Sequence, residues 1–149
     1  MSDLPIATIE WLPCYRIVPS RFPPVGLFDA VADPDDLEAV FQIEAMTNDR
    51  LRDEVGEISL VPREDRVSGP GTTPIMAAFT HLKPDGDRFT DGSYGVFYTS
   101  LNLETAVAET KHHRIRFLEA TGEPAQELDM RVYAVDLVAD LHDIRGTKA

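Results

Sequence analysis

The alternation of apolar and polar residues divides the chain into a few elements separated by turn-rich loops. "CYRIVPSRFPP" begins as a strand, with Tyr15, Ile17 and Val18 as β-formers, and Pro19 and then Pro23-Pro24 stop it. "DPDDLEAVFQIEAMTNDRLRDEV" has the helical period: Leu37, Val40, Phe41 and Ala45 fall on one stripe. Asp33 suits its N-cap, Pro34 its first position, and Asp35 and Asp36 favour the positive end of its dipole. "GPGTTP" (69–74) and "KPDGDRFTDGS" read as loops, with the short apolar run "IMAAFTHL" between them fitting either helix or strand.

"YGVFYTSLNLETAVAETKHHR" predicts a strand over Tyr94–Ser100 followed by a helix. Asn102 is the N-cap, Gly122 the C′ residue, and Leu103, Ala106, Val107, Thr110, Phe117 and Leu118 the packed stripe. "LDMRVYAVDLV" (128–138) predicts a strand with Met130, Val132 and Ala134 on one face and Tyr133, Val135 and Leu137 on the other. Apolar residues on both faces point to an interior position. Strands and helices mix without a βαβ rhythm, which gives an α+β class. No repeat and no low-complexity tract occurs, and neither G-x-G-x-x-G nor G-x-x-x-x-G-K-[ST] is present, so a Rossmann or P-loop site has no support.

Composition narrows the possibilities. At 149 residues, with 43% hydrophobic and 27% charged residues, the chain has the size and balance of one globular domain. A formal net charge of −12 repels phosphate backbones and anionic membrane surfaces, and steers a basic protein partner inward. The single cysteine, Cys14, rules out an internal disulfide and fits a reducing compartment; beside Pro13 and Tyr15 it reads as a small core residue. There is no apolar run of membrane-spanning length, and the acidic start "MSDLPIATIEWLP" lacks the cationic region of a signal peptide. The expected location is cytoplasmic.

Candidate chemistry centres on Glu109, two turns into the helix after the aromatic strand end. At about 100° per residue it lies on the flank of the packed stripe. Two readings stand: a carboxylate reaching over a cleft where the strand ends, or a solvated residue pairing with His113 at i+4. His112 and His113 point about 100° apart and cannot easily share one ion. With H-E-x-x-H also absent, a metal site is not expected. Arg16 and Arg88 are either bidentate anion ligands or surface ion-pair partners. Tyr98 is either a half-buried strand aromatic or a ring on which a flat heterocycle stacks. His81 closes "AAFTHL" as a structural or a functional histidine.

The order of these features resembles the RES-domain family, toxins of bacterial toxin–antitoxin pairs. The matching pieces are "YRIVPSRFPP" with Arg16, "DGDRFTDGSYG" with Arg88 and Phe89, "GVFYTSLNLETAVAE" with Tyr98 and Glu109, and "MAAFTHL" with His81. The resemblance implies a single RES-type domain over 1–149 with an N-terminal extension at 1–13, and a compact ADP-ribosyltransferase-like split β-sheet with flanking helices. It further implies NAD+ as substrate, without a metal, cleaved at the nicotinamide–ribose bond. ADP-ribose then passes to a protein acceptor or to water or phosphate. Glu109 and Tyr98 are the implied catalytic residues; Arg16, Arg88, Phe89 and His81 are the implied NAD+-binding residues. The implied partner is a helix-turn-helix antitoxin whose C-terminal region blocks the NAD+ site. The serine of the family's name is expected after the last strand, yet no serine follows Ser100. The alternative from another class is a non-enzymatic acidic module whose cleft receives a partner peptide.

Overall fold

A computed structural model of the chain describes residues 4–19, 33–36, 39, 42 and 56–146. Its elements are β1 (Ile6–Pro19), α1 (Thr73–Thr80), α2 (Leu103–Thr121) and β2 (Met130–His142), with short 3-10 turns between. They fall into two units, Met1–Arg21 with Tyr98–Ala149, and Phe22–Phe97. The class is α+β, as the irregular mixing of elements predicts.

In the first unit β1 and β2 pair antiparallel from Ile6↔His142 to Pro19↔Met130. β1 starts at Ile6, well before the start at Cys14 that the pattern predicts, and takes in part of the expected extension at 1–13. The reason is a bulge. Between the pairs Trp11↔Leu137 and Cys14↔Val135, Leu12 and Pro13 stand opposite Asp136 alone. An extra residue reverses the side-chain parity, so Ile9 and Trp11 before the bulge share a face with Cys14 and Arg16 after it. This hides the period of two from a linear reading. Pro13, with no N–H to give, sits where the ladder is interrupted. Cys14 is fully buried and donates from Sγ to the Val135 carbonyl at 3.1 Å, the core role its setting predicts.

β2 has the predicted facial alternation, with Tyr133, Val135 and Leu137 half-buried. Its expected interior position is not found: among the described residues β1 is its only strand partner, and Val132 and Val138 on the other face are exposed. The expected strand over Tyr94–Ser100 is also absent. Aromatic and β-branched residues extend the backbone there, but among the described residues its one ladder contact is the bridge Tyr15↔Ser100. Other carbonyls find side-chain donors, Thr90 Oγ1 for Tyr94 at 2.8 Å and Arg16 for Tyr98.

α2 begins and ends as its sequence predicts. Asn102 Oδ1 accepts from the Thr105 amide at 2.9 Å, and Gly122 closes the helix at φ 68°, with Glu123 N–H bonding the Leu118 carbonyl at 2.9 Å. Its apolar stripe is only partly covered: Ala106 is buried, whereas Leu103, Val107 and Phe117 are exposed. α2 rests on β1, and its 19 residues run about 28 Å at 1.5 Å each.

In the second unit the segment "IMAAFTHL" resolves as helix, α1, which opens inside the expected loop at Thr73-Pro74; proline is tolerated in a first turn. Thr73, Met76 and Thr80 recur at helical spacing and are buried, as are Ile58 and Val61 from the preceding turns. Gly95 packs its backbone against α1, where a Cβ would collide with the Ala78 carbonyl and Phe79 Cα. Most of the helix expected from Asp33 onward lies outside the described residues. At its start Asp33 Oδ1 accepts from the Asp35 amide at 3.0 Å, and Pro34–Asp36 forms a 3-10 turn. No helix among the described residues is long and apolar enough to cross a membrane.

Candidate active site

Strand pairing in the first unit gathers Arg16, Tyr98 and Glu109 around Ser100. Tyr15 and Ser100 bond each other through both backbones, Tyr15 N–H to Ser100 O at 2.8 Å and Ser100 N–H to Tyr15 O at 2.9 Å. The next residue on β1, Arg16, lies opposite Tyr133 and donates from Nη1 to the Tyr98 carbonyl at 3.0 Å. Burial pulls its guanidinium below the ordinary arginine value, yet an arginine remains charged at neutral pH. Thr99 Oγ1 donates to the Tyr15 carbonyl at 3.0 Å. Tyr98, Thr99 and Ser100 thus each carry a polar group that is committed to β1 or α2.

Glu109 is exposed on α2, three residues past the buried Ala106. It accepts from Ser100 Oγ at 3.1 Å through Oε2. Glu109 is exposed, as the solvated reading expects, but no ion pair with His113 occurs among the described residues. Tyr98 is 37% exposed. The arrangement offers a carboxylate, a fixed cation and a partly exposed aromatic residue within one unit. A carboxylate so placed can stabilise positive charge developing on a bound sugar, and a guanidinium can hold an anionic group.

The other predicted residues, His81, Arg88 and Phe89, belong to the second unit. There the Arg88 guanidinium lies 5.7 Å from the centre of the Phe89 ring, and the Arg88 amide donates to Asp87 Oδ1 at 2.7 Å. Lys83 pairs with Asp87 at 2.8 Å, and Thr90 O accepts from the Asp87 amide at 2.7 Å. The loop around Arg88 is therefore held by its own polar groups. His81 Nδ1 lies 3.0 Å from the Ala77 carbonyl and so donates to it. His112 and His113 meet edge to face at 5.8 Å. No group of three or more metal-ligating side chains occurs among the described residues.

Ser100 escaped the sequence reading as the partner of Glu109. Its signal was a hydroxyl at the end of an extended segment, two residues before a helix N-cap and nine before the carboxylate.

An exposed glutamate tethered to the end of an extended segment, next to a strand-borne arginine, defines an α+β protein with a polar site built on β1 and α2. The chain belongs to the RES domain family, whose model matches residues 63–149. That stretch contains His81, Arg88, Phe89, Tyr98, Ser100 and Glu109; Arg16 precedes it. The chain is also 35% identical over 133 residues to the uncharacterized protein y4oC of Sinorhizobium fredii. The match covers 88% of this chain and 56% of that relative, so the chain spans about half the length of the curated protein it matches. No solved structure matches it.

Proposed function

We propose that this chain is a toxin of a bacterial toxin–antitoxin pair that cleaves the nicotinamide–ribose bond of NAD+. The observation that carries the reading is Glu109, held by Ser100 beside the Arg16–Tyr98 contact in a chain of the RES domain family. In the reaction the bond between nicotinamide and the anomeric carbon breaks, and its electron pair leaves with the nicotinamide nitrogen. The ribose becomes oxocarbenium-like, a charge that the Glu109 carboxylate stabilises while accepting a hydrogen bond from a ribose hydroxyl. Tyr98 stacks on the departing flat ring, and Arg16 holds the pyrophosphate so that remote binding energy serves the transition state. An acceptor then bonds the anomeric carbon and loses its proton. That acceptor is a protein side chain, which makes the enzyme a mono-ADP-ribosyltransferase, or water or phosphate, which makes it a drain on NAD+.

The family resemblance alone supports four further parts of this reading. Arg88, Phe89 and His81 bind NAD+, and the fold extends to the split β-sheet of an ADP-ribosyltransferase. The protein acts in the cytoplasm. Its partner is a helix-turn-helix antitoxin whose C-terminal region blocks the NAD+ site.

The test uses purified protein free of antitoxin, incubated with NAD+ and a cell lysate. Nicotinamide release with labelled protein is the transferase outcome, and release without it is the depletion outcome. Neither signal from a folded sample contradicts the proposal and favours a module that binds a partner without turnover.

A further inference from the structure

Ser100 is buried, at 7% exposure, and its backbone is fixed in both directions by Tyr15. The neighbouring hydroxyl, that of Thr99, is already bonded to the Tyr15 carbonyl. Two residues on, Asn102 caps α2 and so fixes where the helix starts relative to Ser100. Between that bridge and that cap, Ser100 Oγ meets Glu109 Oε2 at 3.1 Å. Oε1 of the same carboxylate has no hydrogen bond among the described residues.

We infer that Ser100 is a positioning residue for the reaction: its hydroxyl pins one oxygen of Glu109 and leaves the other for the substrate ribose. The inference rests on the NAD+-cleaving reading above. An exposed glutamate has several rotatable bonds and spreads over many rotamers. A hydrogen bond from a fixed donor to the charged carboxylate concentrates it in one geometry. Electrostatic stabilisation of a transition state needs that geometry in place before the bond breaks. Ser100 need not touch the substrate, so its removal acts on kcat while NAD+ affinity stays near the parent value.

The experiment is a kinetic double-mutant cycle on nicotinamide release with Ser100→Ala, Glu109→Ala and the combined variant, beside NAD+ affinity and thermal midpoint. The expected result is a loss of about tenfold to a hundredfold in kcat for Ser100→Ala, the size of a lost hydrogen bond to a charged group. In the Glu109→Ala background the same change is expected to cost less than about twofold, because the hydroxyl then has nothing to position. Equal losses in both backgrounds reveal a merely structural serine and overturn the inference, as does a Ser100→Ala enzyme at the parent rate. If Ser100→Ala does not fold, Ser100→Cys takes its place, having a similar size and a much weaker donor. A folded parent that releases no nicotinamide overturns the NAD+ reading and this inference with it, an outcome distinct from the other two.

Discussion

The two units hold their candidate residues by opposite means. In the first, Arg16, Tyr98, Ser100 and Glu109 come from three parts of the sequence: Arg16 bonds Tyr98 across 82 residues, Ser100 bonds Glu109 across 9, and between them Thr99 bonds Tyr15 across 84. In the second, Arg88 and Phe89 sit in a loop where the Lys83–Asp87, Thr90–Tyr94 and Tyr94–Phe89 bonds span four or five residues each. Glycines at positive φ, Gly86 and Gly92 among them, shape that loop. A site built from long-range pairing depends on the sheet, whereas a loop closed by its own polar groups depends on its turns. The two regions are therefore expected to fail differently.

The sharpest break is chemical. Glu109→Gln removes the charge but little volume, and at least a hundredfold loss in the rate of nicotinamide release is expected, about the effect of deleting one electrostatic stabiliser. Circular dichroism should show an unchanged fold, since the Glu109 side chain is exposed.

The next largest effect belongs to the second unit. Gly95→Ala forces a Cβ into the Ala78 carbonyl, so a loss of about 1–3 kcal/mol in denaturant unfolding is expected from overpacking. Gly122→Ala, at the end of α2, meets no atom within 4 Å. Its cost is that of the left-handed backbone alone, about 1–2 kcal/mol. The difference between the two glycines separates crowding from backbone conformation.

The smallest effect concerns charge at the end of the first unit. Arg145 bonds Asp143 through Nε and Nη2, and these hydrogen bonds hold the Asp143 carboxyl down at about 2. A carboxyl lower in the folded than in the unfolded state stabilises the fold above the ordinary aspartate range. That contribution fades as pH falls from there through about 2. NMR titration should place the midpoint near 2, and Arg145→Ala should return it to the ordinary aspartate range.

How far these features could be read from the sequence follows from whether the cause is local. α2 was legible at both ends because Asn102 and Gly122 act on atoms within a turn of themselves. Cys14 and the facial alternation of β2 were legible from neighbours and period. The early start of β1 was not, because the Leu12-Pro13 bulge reverses the alternation on which such a reading depends. The segment Tyr94–Ser100 has the residues of a strand, but residue type sets backbone extension and not the presence of a pairing partner. In the site, Glu109 and Arg16 were visible as residue types near element ends. That Arg16 reaches the Tyr98 carbonyl and Ser100 reaches Glu109 depends on a bridge between residues 15 and 100, which no local pattern encodes.

The most direct test of the account compares the two regions in one assay, the steady-state kinetics of nicotinamide release from NAD+ by the parent, Glu109→Gln and Arg88→Ala. The account predicts that Glu109→Gln loses at least about a hundredfold in kcat. It predicts that Arg88→Ala raises KM and leaves kcat within a few fold, as the loss of uniform binding does. A Glu109→Gln enzyme that releases nicotinamide at the parent rate would contradict it.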